Sequence, residues 1–182
     1  MDKAAVLIDG GYIDAINRDH FGRQKIDLLS FSSILCEPDC TRFRTYYYNC
    51  PPYQGNPPTE YQKSRKAGYD RYINKLRSLP RFIIREGILR LISEEPFEVE
   101  QKGIDVLFAC DLVRLSASRA IQEAIIVAGD ADYVPAVEIA REEHVIAKLV
   151  YYPGSCAPAL YDACDERVRI TRELIESCLR ED

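Results

Sequence analysis

Two short, wholly apolar runs stand out along the chain, and each ends in glycine and aspartate. Ala4–Ile8 (AAVLI) runs into Asp9-Gly10-Gly11, and Ala124–Ala128 (AIIVA) runs into Gly129-Asp130-Ala131-Asp132. Apolar strands that do not alternate suit a parallel sheet covered on both faces. The pattern predicts helices near Tyr12–Arg18 and Leu28–Leu35, then a strand over Phe43–Asn49 (FRTYYYN). A long basic helix is predicted over Thr59–Leu79, and a strand, or a pair bent about Gly87, over Arg81–Ile92. Gly103–Ser116 predicts a helix with Ile104, Leu107, Phe108, Leu112 and Leu115 on one face. A helix over Tyr133–Glu143, a strand over Val145–Tyr152 and a helix over Ala157–Ala163 follow. A short strand over Val168–Thr171 and a C-terminal helix complete the pattern. The segment CPPYQGNPPTEY, residues 50–61, holds four prolines and a glycine and reads as a loop joining two elements. This βαβα order implies a three-layer α/β/α fold with a mainly parallel central sheet and right-handed crossovers.

The 182 residues, 47% hydrophobic and 29% charged, fit one globular domain spanning 1–182. No apolar run approaches the roughly 20 residues needed to cross a bilayer. The N-terminus reaches a carboxylate too early for a secretory signal, so the expected location is cytoplasmic, with no membrane partner. Seven cysteines, an odd number without a C-x-x-C pair, argue for reduced, mostly buried thiols. A zinc site from Cys36, Cys40 and Cys50 would need an irregular spacing with no histidine nearby in sequence. Whether the tyrosine-rich strand and the surplus thiols serve the core or a partner surface, a homodimer included, stays open.

Net charge changes the picture because it is uneven. The chain carries −5 overall, but residues 62–90 hold nine Lys or Arg against Asp70 and Glu86 alone. A segment of about +7 on a body of about −12 can still attract a polyanion, and equally can be a solvated helix face.

Acids follow both apolar strands, and ligands of open parallel sheets gather at the carboxyl ends of strands. If the two strands are neighbours, Asp9 and Asp130 lie close together. Asp105, in the first turn of the helix after Gly103, is placed to reach over a strand end. Asp111 lies six residues on, about 120° away around the helix, and reads as an outer group together with Lys102. Grouped carboxylates repel, and a hard divalent ion such as Mg²⁺ or Mn²⁺ is the simplest remedy. Such a site implies phosphodiester hydrolysis. Plainer roles exist: Asp132 as a cap for the helix near Tyr133, and Asp105 as a complement to a helix N-terminus. Asp9 has the fewest, because an acid directly after a buried strand is costly without a partner. Asp14, Asp162 and Asp165 read as surface or capping residues. Neither the P-loop nor the dinucleotide-binding glycine pattern is present. An aspartyl-phosphate mechanism wants an acid where Gly11 stands.

The stretches VLIDGGYI (6–13), RTYYYNCPP (44–52), EQKGIDVLFACDLV (100–113) and AIIVAGDADYVPAVEIA (124–140) resemble the NYN domain family. They are most similar to its LabA-like branch, within the PIN-like nuclease superfamily. The tail from Val145 to Ile170 fits the family's closing strand, helix and strand. The resemblance implies a PIN-like sheet and an acidic cluster of Asp9, Asp105, Asp130 and Asp132 that binds Mg²⁺ or Mn²⁺ and cuts RNA. It departs from the family pattern at Ala128 and Ala131, which lack hydroxyls, at Tyr133 in place of phenylalanine, and at Gly11-Tyr12. Lys63, Arg65, Lys66, Arg71 and Lys75 would grip the backbone, with Tyr61 or Tyr69 stacking on a base. Two function classes follow: a metal-dependent endoribonuclease, or a catalytically weak or inactive RNA-binding or regulatory module on the same fold.

Overall fold

The computed structural model describes residues 1–94 and 97–180. Six parallel strands form the central sheet: β1 (Asp2–Asp9), β2 (Cys40–Asn49), β3 (Phe82–Glu86), β6 (Glu123–Val127), β7 (Ile146–Tyr151) and β8 (Glu166–Arg169). Their order across the sheet is β3-β2-β1-β6-β7-β8. A separate antiparallel hairpin, β4 (Ile88–Glu94) and β5 (Phe97–Lys102), projects between β3 and the next helix.

The helices are α1 (Gly10–His20), α2 (Leu28–Ile34), α3 (Glu60–Arg77), α4 (Ile104–Ala117), α5 (Val134–Glu142), α6 (Pro158–Ala163) and α7 (Arg172–Glu176). Alternation along a strand sends successive side chains to opposite layers. Ala5, Leu7, Tyr46, Tyr48, Ala124 and Ile126 therefore pack with Phe108 and Leu112 of α4 and Val137 of α5. Ala4, Val6, Ile8, Tyr47, Ile125 and Val127 pack instead with Ile13 and Ile16 of α1, Phe31 of α2 and Ile73 of α3. This double cover explains why β1 and β6 are apolar at every central position: Ala4 through Ile8 and Ala124 through Val127 are all fully buried.

The predicted strands and helices are present, with instructive displacements. The last strand lies at Glu166–Arg169 rather than Val168–Thr171, because Thr171 caps α7 through its side chain. The segment expected to be helical from Tyr133 begins as a 3₁₀ turn over Ala131–Tyr133. The carboxylate of Asp130, not that of Asp132, caps this turn by accepting from the Asp132 amide at 3.1 Å. The three adjacent tyrosines of β2 belong to the core. Cys36, Cys40, Cys50, Cys164 and Cys178 are buried free thiols, and Cys40 and Cys50 are separated by the length of β2. No helix among the described residues is long and apolar enough to cross a membrane.

Candidate functional site

The strand order reverses direction between β1 and β6. From β1 the chain steps outward to β2 and β3, whereas β6 feeds β7 and β8 on the other side. Loops leaving two such neighbours diverge and open a crevice at their carboxyl ends. Ile8 and Val127 are register partners, so Asp9 and Asp130 leave the sheet at the same edge. The crevice measures about 580 Å³ and is lined by Asp9, Tyr12, Gly129, Asp130 and Ser155, among others. Gly129 is required here: a Cβ would lie 2.5 Å from both the Tyr12 ring and the Ser155 carbonyl oxygen.

Asp9 is the N-cap of α1 and accepts the Tyr12 amide at 3.1 Å. Its second oxygen meets the hydroxyl of Tyr133 at 3.0 Å. The same hydroxyl meets an oxygen of Asp105 at 3.0 Å. Two carboxylates 96 residues apart in sequence therefore converge on one phenol. Asp105 occupies the first turn of α4, which starts after Gly103 at a positive φ of 87°. That left-handed turn is cheap only for glycine, and it swings the helix start over the strand ends.

A phenol carries a single proton, so it donates to one carboxylate at a time. The other contact sets lone pair against lone pair unless a proton or a cation intervenes. The surroundings agree. Burial pushes the Asp9 carboxyl above its usual range; the Tyr12 and Gly11 amides and the Tyr133 hydroxyl pull it down without cancelling the rise, and the Asp105 charge adds to it. Burial likewise raises the Tyr133 phenol far above its ordinary value, reinforced by the Asp9 and Asp105 charges. Asp14, one turn along α1, is solvent-accessible as a residue, yet its carboxyl is crowded and faces Asp9. Crowding first, then the Asp9 charge, raises it to about 6.

The other predicted residues are placed as follows. Asp130 lines the crevice, while Asp132 is exposed on the 3₁₀ turn. Asp111 is buried on α4 and fully engaged: it accepts from Arg85 at 2.7 and 2.9 Å, from Arg114 at 2.8 Å and from the Tyr48 hydroxyl at 3.1 Å. Lys102, at the end of β5, faces Glu100 at 3.4 Å. On α3, Lys63 pairs with Glu60 and Lys66 with Asp70. Arg65, Arg71 and Lys75 have no ion-pair partner among the described residues. Tyr61 is 71% exposed, whereas the Tyr69 hydroxyl is held by Glu86 at 3.2 Å.

The donors at Asp9 and Asp105 are all oxygen, which suits a hard divalent cation. Among the described residues no three acidic, histidine or cysteine side chains converge into a cage. Asp9 lines the crevice and Asp105 is exposed; Mg²⁺ is commonly held in this way, through one or two carboxylates and retained water. The sequence reading left out Tyr133 as a site residue, and also Tyr12, Ser155 and Asp14. Ser155 follows the β7 strand end, so the edge rule applied to a third strand would have found it. The one signal for Tyr133 was its extra hydroxyl where a phenylalanine is usual.

Comparisons with known proteins fit this geometry. A curated protein from Sinorhizobium fredii, "Uncharacterized protein y4oD", is 38% identical over 69 residues, covering 36% of this chain and 32% of that protein. The match thus spans about a third of that relative's length. A solved structure of a Vibrio parahaemolyticus protein of unknown function, VPA0982, superposes with a TM-score of 0.67 at 18% identity. It covers 98% of this chain and 96% of the other, which establishes a shared fold. The NYN domain family matches residues 3–171, nearly the whole length, and the chain belongs to that family, whose PIN-like fold is generally that of nucleases.

Proposed function

We propose that the protein is a metal-dependent endoribonuclease that hydrolyses RNA phosphodiester bonds at the β1–β6 crevice. The observation that carries this reading is the convergence of Asp9 and Asp105 on the Tyr133 hydroxyl, beside a crevice that Asp130 also lines. Asp9 and Asp105 would hold Mg²⁺ or Mn²⁺ directly, and Asp130 and Asp132 would act through water. A bound ion of this kind supplies charge neutralisation and a more acidic bound water.

The chain's own residues do the rest. Asp9 is held in place by the Tyr12 amide and fixes one side of the site. Asp130, whose Oδ1 accepts the Asp132 amide, lines the crevice, where its carboxylate would orient water. Tyr133 spaces the two carboxylates and shares its proton with them. Lys63, Arg65, Lys66, Arg71 and Lys75 attract the phosphate backbone, with Arg65, Arg71 and Lys75 contributing most because they are not paired. Tyr61 and Tyr69 offer rings to bases. Lys102 and Asp111 support the site from outside it, Asp111 by fixing α4.

The test is cleavage of a single-stranded RNA with and without Mn²⁺. Wild type should give products only with the ion, and Asp130→Asn should give none while retaining its fold. Wild-type rates from Asp130→Asn would refute the assignment. One observation favours a second reading. The Tyr133 hydroxyl occupies the gap between two acids, and among the described residues no third acid closes the cage. A non-catalytic RNA-binding module would bind RNA in the presence of a chelator and yield no products at any metal concentration.

A further inference from the structure

A second cavity, of about 360 Å³, lies on the β2–β3 side of the acids. Its walls include Pro52 and Tyr53 of the proline-rich loop, Tyr61 and Arg65 of α3, and Leu89 and Val99 of the β4–β5 hairpin. It thus sits where three segments meet.

The wall is built to stay in place. Thr59 and Gln62 form a reciprocal capping box at the start of α3. The Gln62 side-chain oxygen also accepts the Gly55 amide at 3.1 Å, and its backbone oxygen accepts the Gln54 side chain at 2.8 Å. The loop is therefore stapled to the helix rather than draped over it. Tyr61 stays largely exposed, with the Arg65 guanidinium 5.8 Å from its ring centre. Leu89 and Val99 supply an apolar floor. An aromatic face, a planar cation and an apolar floor are the parts that receive an unstacked base.

Position and charge name the occupant. Cys50, two residues before Pro52, lies against Gly87 and Ile104: a Cβ on Gly87 would meet atoms of both at 2.9 Å. Ile104 precedes Asp105 in the chain, so the cavity flanks the acid pair. Tyr61, Arg65, Arg71 and Lys75 fall within about a third of the circumference of α3 at 100° per residue, giving a cationic stripe beside the aromatic ring. A polyanion following that stripe brings its bases past Tyr61.

We propose that this cavity is a nucleobase subsite that seats one unpaired base of a single-stranded nucleic acid bound across the acidic crevice. The assignment rests on the nuclease reading for its orientation but needs no cleavage to be tested. A duplex keeps its bases stacked and leaves the cavity empty.

The experiment is fluorescence anisotropy in chelator with four labelled probes of equal length. They are single-stranded RNA, single-stranded DNA, duplex RNA and an abasic strand with the same phosphates. Wild type should bind single-stranded RNA about 10-fold more tightly than the abasic strand, the loss of one stacked base. Tyr61→Ala should erase that ratio and Tyr61→Phe should preserve it, while Arg65→Gln should weaken both strands. Whether the single-stranded DNA retains the ratio tells whether the subsite reads the sugar or only the base. Equal affinity for abasic and base-bearing strands overturns the subsite; this is also the result if the cavity serves a peptide. Equal affinities in chelator together with RNA cleavage in the separate Mn²⁺ assay would sink the subsite alone. A base-dependent ratio in chelator with no cleavage in the Mn²⁺ assay would sink the nuclease reading alone, and failure to bind any strand would sink both.

Discussion

Asp105 and Asp111 lie six residues apart on α4, yet the fold handles the acids around them in opposite ways. At Asp111 burial pushes the carboxyl up, but hydrogen bonds and charge from Arg85, with help from Tyr48 and Arg114, outweigh it and hold the group below its usual range. At the start of the helix, Asp105 and Asp9 share a single phenolic proton, and Asp9 is left above its usual range, chiefly by burial. The first arrangement is closed and locks α4 to β2 and β3. The second is under-satisfied at the one edge where the topology opens a crevice. A structural carboxylate is given its cations by the fold; a carboxylate kept for binding is left short of them.

The comparison breaks most visibly through activity. Replacing Asp9 by Asn should abolish metal-dependent RNA cleavage, a loss of at least about 100-fold for removal of a charge from such a site. Replacing Asp111 with Asn should lower the rate only as far as it lowers stability. Matched single-turnover assays at a temperature where both variants are folded would check this. Comparable losses in the two variants would erase the distinction.

Stability gives the next largest effect, on the closed side. Arg85→Ala strips Asp111 of its bidentate partner and leaves a buried carboxylate on Arg114 and Tyr48 alone. We expect a loss of about 3 kcal/mol in urea unfolding, near the low end for a broken buried pair because Arg85 itself is partly solvated.

Tyr133→Phe acts on the open side. It removes the shared proton and should cost the metal-free protein about 1–2 kcal/mol at neutral pH. The cost should shrink when Mn²⁺ is added, since a cation satisfies the same oxygens. A penalty unchanged by Mn²⁺ would mean that the hydroxyl and the ion do not serve the same carboxylates.

The smallest effect is the pH dependence of Asp14. Its carboxyl is raised from 3.8 to about 6, so the folded protein binds this proton more tightly than the unfolded chain does. The stability this contributes is present below about pH 4 and is lost as pH rises through 6. Asp14→Asn should therefore match wild type near pH 4 and exceed it at pH 7.5. After discounting for the solvent around the side chain, the gain should be about 1 kcal/mol. Thermal melts at the two pH values would show it.

Much of the scaffold was legible in the chain. AAVLI and AIIVA could be neither half-exposed strands nor amphipathic helices, and the acids after them had few other uses. Their adjacency followed only once the β1–β6 pairing was known, because no local rule sets strand order. The β4–β5 hairpin was half legible. Gly87 marked its start, but FEVEQK alternates weakly, and its pairing depends on a partner 10 or so residues away. Tyr133 was illegible as a site residue for a physical reason. Its ring packs on Phe108, with centroids 4.2 Å apart, as any core aromatic would. Only the end of the side chain, reaching two acids brought in by other elements, gives it a role. Asp14 is exposed, as a surface residue should be; the sequence did not show that the fold brings the Asp9 charge to bear on its carboxyl.

The most direct measurement is anomalous scattering from a crystal soaked in Mn²⁺. The account predicts a single strong peak about 2.0–2.6 Å from oxygens of both Asp9 and Asp105, with the Tyr133 hydroxyl displaced or bound alongside. Manganese absent from those two carboxylates, in a crystal whose crevice is open to solvent, would contradict it.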